Sequence, residues 1–229
     1  MKRFISVMFL VVALVIMTVP VVLANTVKVD TGAYSANIGF GTGGEFTLTP
    51  NGGDLPVGYN PQTFCLERNE YFNPGSTYFY EISGGAIHGG LNGGDPDPIS
   101  VGTAWLYEKF ATGTLGDYPG TNHLASAGQL QATIWWLEGE IGARPSNSFI
   151  AALGTAGFSD SQAKADYTGN SVQVLNLWGQ MSTKGPVTYS DPKQDMLVYV
   201  PQSVPEPTSL LLLGLGLVGL AGLSRKLRK

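Results

Sequence analysis

The placing of the two longest apolar stretches constrains this chain most: they stand at its two ends, each beside a small cluster of basic residues. Lys2 and Arg3 precede a nearly unbroken apolar run from Phe4 to Leu23, and Val22-Leu23-Ala24 closes it with a small residue suited to signal peptidase. Residues 1–24 therefore read as a signal peptide, with cleavage expected before Asn25; Pro20 and the small-residue site set it apart from a membrane anchor. At the other end, residues 208–223 form a glycine-rich apolar run followed by Ser224-Arg225-Lys226-Leu227-Arg228-Lys229. Arg225, Lys226, Arg228 and Lys229 are expected to stay cytoplasmic, making residues 224–229 a stop after a transmembrane helix. About 16 residues at 1.5 Å each reach roughly 24 Å, short for a permanent anchor. Setting both ends aside leaves residues 25–200 as one secreted domain, with residues 201–207 as its linker to the tail.

Removing the ends changes the charge balance. Six of the thirteen basic residues lie in the terminal segments and all seventeen acids lie between them. Residues 25–207, body and linker together, thus carry seven basic against seventeen acidic residues. No basic footprint for nucleic acid remains. The body is long enough to bury a real core without staples, and with one cysteine, Cys65, it has no internal disulfide. That thiol is free, bridges two chains or is committed to other chemistry.

The body reads as strands first, helices in the middle and strands last, an α+β domain rich in β-structure with a few inserted helices. Thr26–Asp30 and Glu45–Thr49 alternate apolar and polar residues, with Gly41, Gly43 and Gly44 expected to make the turn between them. Gln62–Glu67 is a further strand, and Thr77-Tyr78-Phe79-Tyr80-Glu81-Ile82 is strongly β-prone. Helices are expected at 101–112 and from Leu124 or Ser126 to Glu138, the latter with Leu130, Ile134 and Leu137 as its apolar stripe and Gly139 as its cap. Short helical turns at 148–153 and 159–167 precede late strands at 172–178 and 196–200.

The least generic stretch is Gln129-Leu130-Gln131-Ala132-Thr133-Ile134-Trp135-Trp136, and its counterpart lies upstream at Thr63-Phe64-Cys65-Leu66-Glu67. A thiol held against a primary amide in a dry pocket can displace ammonia and leave an internal thioester, an acyl group that an external amine can take. Cys65 is the candidate thiol and Gln131 the candidate acyl donor, with Gln129 as its rival. Trp135, at i+4 from Gln131, is on the same helix face and positioned to exclude water, and Phe64 is expected to shield the bond from the other side. The bland alternative is a buried structural cysteine and a polar helix position.

The paired motifs Phe64-Cys65-Leu66 and Gln131-Ala132-Thr133-Ile134-Trp135 resemble those of the thioester domains of bacterial surface adhesins. The resemblance covers two short motifs within roughly residues 60–140 and implies single-use covalent adhesion to an amine-bearing target, not a turnover enzyme. The tail carries a second resemblance. Val204-Pro205-Glu206-Pro207, the apolar run and the basic stop together resemble the PEP-CTERM sorting signal of Gram-negative bacteria. That resemblance implies signal peptidase and an exosortase-type membrane peptidase as processing partners and a transient stay in the inner membrane. The destination it implies is the cell surface or extracellular matrix. Tails of this form are also labelled the C-terminal domain of some ice-binding proteins, a label for the tail alone. A plain tail anchor is the alternative, but it has no need of the Pro-Glu-Pro signal.

Other chemistry is thin. Glu138 and Glu140 stand two apart, so on a helix they point to different sides and do not form a glycosidase pair; a solvated helix end is expected. His88 and His123, the only histidines, fall in expected loops, have no zinc-ligand spacing, and are at most general bases near the thioester. Asp95 and Asp97 in a glycine-rich loop suggest calcium, but the full loop pattern is missing and a solvated turn is favoured. Phosphate-loop, nucleophile-elbow and dinucleotide motifs are absent. The body therefore calls for no cofactor and no metal. The reading from another class is a noncovalent structural or carbohydrate-binding component of a biofilm or exopolysaccharide matrix, with the tryptophans Trp105, Trp135, Trp136 and Trp178 as candidates for a sugar groove.

Overall fold

The computed structural model describes residues 25–37, 42–51, 55–87, 93–183 and 186–201. The expected signal peptide, the Pro-Glu-Pro signal, the expected transmembrane helix and the expected basic stop lie outside the described residues, as does His88. Among the described residues no helix is long and apolar enough to cross a membrane.

A seven-stranded antiparallel sheet forms the frame. Its strands are β1 (Thr26–Asn37), β2 (Thr42–Pro50), β3 (Gln62–Thr63), β4 (Ser76–Ser83), β7 (Val172–Ser182), β8 (Thr188–Pro192) and β9 (Met196–Tyr199). They lie in the order β3-β2-β1-β4-β7-β8, and β9 shares the far edge of β7 with β8. A separate two-stranded ribbon pairs β5 (Gly85–Ala86) with β6 (Asp97–Pro98). The chain is therefore β-rich with a few helices, as its alternating ends predict. In β1 the alternation is direct: Val27 and Val29 are fully buried while Lys28 and Asp30 form a surface ion pair at 2.9 Å.

Four helices connect the early strands to the late ones: α1 (Val101–Ala111), α2 (His123–Leu137), α3 (Ser148–Thr155) and α4 (Asp160–Ala163). Each starts on a polar side chain that accepts an otherwise orphaned backbone N–H: Ser100, Asn122, Asn147 and Ser159. Ser159 and Gln162 complete a reciprocal capping box. Helix α2 is capped by Glu138, and Gly139 follows in the left-handed region at φ 83°. Helix α2 packs on β1 and β2, and α1 packs on β7 and β9. The core between them holds Leu130, Ile134, Leu106, Phe46, Val174 and Leu197.

Several expectations need correcting. Gly43 and Gly44 are inside β2, opposite Ala36 and Ser35, and not in a turn. A register shift in β1 between Thr31 and Ser35 puts Gly44 at φ 107°, with the Tyr34 carbonyl oxygen 2.4 Å from where a Cβ would sit. A glycine cluster marks such a bulge as readily as it marks a turn. The strand expected over Gln62–Glu67 is β3 for two residues only; beyond it the chain leaves β2 and bridges to β9 through Cys65 and Met196. Strand β8 was not expected, because its mostly exposed residues carry no apolar alternation. His123 is the first residue of α2, not part of a loop.

Candidate functional site

Cys65 is in the crossing segment between sheet edge and helix layer. The Leu197 N–H donates to the Phe64 carbonyl at 3.2 Å and the Leu66 N–H to the Asp195 carbonyl at 3.0 Å, fixing residues 64–66 against β9. Phe64, Cys65 and Leu66 are all buried. Gln131, halfway along α2, is fully buried and faces this segment.

The two residues meet across 66 positions of sequence. The Cys65 N–H donates to Gln131 Oε1 at 3.1 Å, and Gln131 Nε2 donates to the Cys65 carbonyl at 2.8 Å. The primary amide is thus held in one orientation against the cysteine backbone. Burial and the Glu67 carboxylate push the Cys65 thiol well above its ordinary pKa, so the resting group is the neutral thiol. Gln129, the rival donor, is exposed, and its carbonyl accepts from Thr133 Oγ1 and Asn147 Nδ2. A helix carries residues two apart to different sides, so only one of the two glutamines can face Cys65.

A pocket of about 410 Å³ opens on the Cys65 side of the pair. Cys65, Trp135, Phe46, Tyr71, Phe72 and Arg68 are among its walls. Trp135 is where the helix spacing put it, buried and lining the same pocket as Cys65. Phe64 does not shield the pair. Successive side chains on an extended segment point to opposite sides, and Phe64 packs edge-on against Phe110 in the core at 5.0 Å between ring centroids.

The histidine expectation also changes. His123 Nε2 is 2.5 Å from Glu45 Oε1, the Tyr118 hydroxyl donates to the same carboxylate, and the His123 ring stacks on Tyr34 at 3.4 Å. Eight residues of helix, about 12 Å, separate His123 from Gln131. It is committed to its own cluster and serves no base at Cys65.

Glu138 and Glu140 are not a solvated helix end. Glu138 Oε1 accepts from the Ser100 N–H at 3.2 Å and the Ser100 hydroxyl at 2.8 Å, tying the end of α2 to the start of α1. Burial raises its pKa from 4.5 to about 7 against those hydrogen bonds, which pull it down. Glu140 is buried, and its Oε2 accepts the Arg68 N–H at 2.9 Å. Sequence spacing separated the pair correctly but missed that each carboxylate holds a backbone segment.

A second acidic group was not anticipated. Oxygens of Glu67, Glu70 and Asp195 lie within 4.8 Å of one another. Burial and neighbouring carboxylates push Glu67 well above the usual range and Glu70 to about 8; burial pushes Asp195 to about 7. Glu67 and Glu70 are one helical turn apart in sequence, but Asp195 comes from the far end of the domain, and no local pattern joins them. Among the described residues Asp95 and Asp97 take part in no such cluster; Asp95 is exposed and Asp97 begins β6.

The described residues thus form an antiparallel β-rich domain with α-helices laid on it and a buried Cys–Gln pair whose cysteine lines a pocket. Residues 203–226 match the model of the PEP-CTERM protein-sorting motif. The chain thus carries this motif and is an exported protein processed by an exosortase through a membrane-associated intermediate. No curated protein and no solved structure matches it.

Proposed function

We propose that the body of this exported protein is a covalent attachment module that forms an internal thioester between Cys65 and Gln131. The supporting observation is the clamp of the Gln131 amide on the Cys65 backbone in a buried position next to a pocket. In the forming step the Cys65 Sγ attacks the Gln131 Cδ. The C–N bond breaks, and the amide nitrogen leaves as ammonia with the thiol proton. The Cys65 N–H already donates to Oε1, the atom on which negative charge develops, so it serves as a preset oxyanion donor. In the capture step an external amine attacks the same carbon, an amide forms, and the thiol returns with the amine's proton. One molecule captures once, so the module is not a turnover enzyme. The pocket is the entry for the amine, with Tyr71, exposed on its rim, meeting the target first.

A second reading is favoured by one detail: both Gln131 hydrogen bonds go to the Cys65 backbone and neither to its sulfur. Gln131 then only satisfies a backbone N–H and carbonyl that the short β3 leaves unpaired. The exported protein would in that case be a noncovalent structural or carbohydrate-binding part of a biofilm or exopolysaccharide matrix at the cell surface. The intact mass of the exported chain, with and without methylamine, separates the two. A mass short by one ammonia that gains one methylamine at Gln131 supports the thioester. A full mass with a free Cys65 thiol eliminates it.

A further inference from the structure

We propose that Glu67, Glu70 and Asp195 bind one divalent cation of the calcium class beside the Cys65 pocket. This proposal stands independently of the thioester.

Three carboxylate oxygens, one from each residue, lie within 4.8 Å of one another. Two oxygens on opposite sides of an ion bound at about 2.4 Å are separated by about that distance, so the three oxygens are close enough together to share one calcium. The donors are all carboxylate oxygens, which suits hard cations and not zinc or copper.

The orphaned atoms point to an ion. Glu67 is only 4 % exposed, and its Oε2 has no hydrogen-bond partner. Glu70 Oε2 is also buried and unpartnered. A buried carboxylate oxygen with no donor is costly unless protonated or bound to a metal. The charges acting on Glu67 are those of Asp195, Glu70, Glu138 and Glu140, and all disfavour its ionised form. A divalent cation reverses that balance at a stroke.

The surroundings hold the donors in place. The Ile87 N–H donates to Asp195 Oδ2 at 2.6 Å, and Gln194 Nε2 donates to the Glu67 carbonyl at 2.7 Å. Glu70 and Gln194 both line the pocket, which gives an ion its way in. A bound cation ties the segment 67–70 to the residues just before β9 and so stiffens one wall of the pocket.

The test is a titration of the chelator-stripped full-length chain, in detergent, with calcium chloride, against sodium chloride of equal ionic strength. The expected result is a saturable rise in Tm with calcium alone. Terbium, excited through the tryptophans with Trp135 near the site, should luminesce on binding and be displaced by calcium. Glu70→Gln, at a half-buried position, should weaken both effects at least tenfold. The absence of a saturable calcium effect on the wild-type chain overturns the proposal without reliance on any variant. Calcium and terbium effects that survive both Glu70→Gln and Glu67→Gln unchanged overturn it too, placing the ion elsewhere.

Discussion

A Cys65–Gln131 bond would close a loop across 66 positions, and that closure has a calculable stability. Restricting the unfolded chain by a cross-link of this length contributes about 4 kcal/mol on the chain-entropy relation. Cleaving it with methylamine removes that contribution with no mutation. In a domain of this size 1 kcal/mol moves Tm by about 2–4 °C, so treatment should lower Tm by roughly 10 °C. Cys65→Ala should lose the same 4 kcal/mol plus about 1 kcal/mol for its buried sulfur. Without the bond the numbers separate differently. Cys65→Ala then costs only the sulfur, about 1 kcal/mol, because its backbone keeps both Gln131 hydrogen bonds. Gln131→Ala strands a buried N–H and a buried carbonyl and costs about 3–5 kcal/mol. Differential scanning calorimetry of wild type, methylamine-treated wild type and both variants measures all four. A Cys65→Ala loss near 1 kcal/mol together with a Tm indifferent to methylamine refutes the cross-link.

Glu138, raised from 4.5 to about 7, binds more protons folded than unfolded over that interval. Its contribution to stability is therefore present below pH 4.5 and declines as pH rises towards 7, by about 1–2 kcal/mol for a half-buried group. Urea unfolding of wild type and Glu138→Gln across pH 4–8 should show the variant's stability falling less steeply. Gln129→Ala, at an exposed position, should leave both the ammonia deficit in mass and the stability within about 0.5 kcal/mol of wild type; loss of the deficit would move the acyl donor to Gln129. Gly44→Ala meets the Tyr34 carbonyl at a positive φ and should cost at least 1–3 kcal/mol, read by the same unfolding assay. Replacing Pro205-Glu206-Pro207 with alanines should leave the chain unprocessed in the membrane fraction, seen as a larger species on a blot with an antibody to the body.

The sequence alone determined what depends on local pattern. Pro205-Glu206-Pro207 ahead of an apolar run with its basic end is a contiguous signal that sorting machinery reads without a fold. Alternation in β1 and the 3.6-residue stripe of α2 likewise follow from which side chains leave water, and Gly139 closes that helix by backbone chemistry in its own neighbourhood, whereas the cap at Asn122 starts it ahead of the expected Leu124 or Ser126. Only the tertiary structure chose between Gln129 and Gln131, because the choice rests on which face of α2 meets the crossing segment at Cys65. It also turned His123 to Glu45, moved Phe64 into the core, buried Glu140 and half-buried Glu138, both of which local polarity had assigned to solvent. The Glu67, Glu70 and Asp195 group was illegible for the same reason: 125 positions separate Glu70 from Asp195 in the sequence. Such residues are joined by packing of the whole sheet, which periodicity along the chain does not encode.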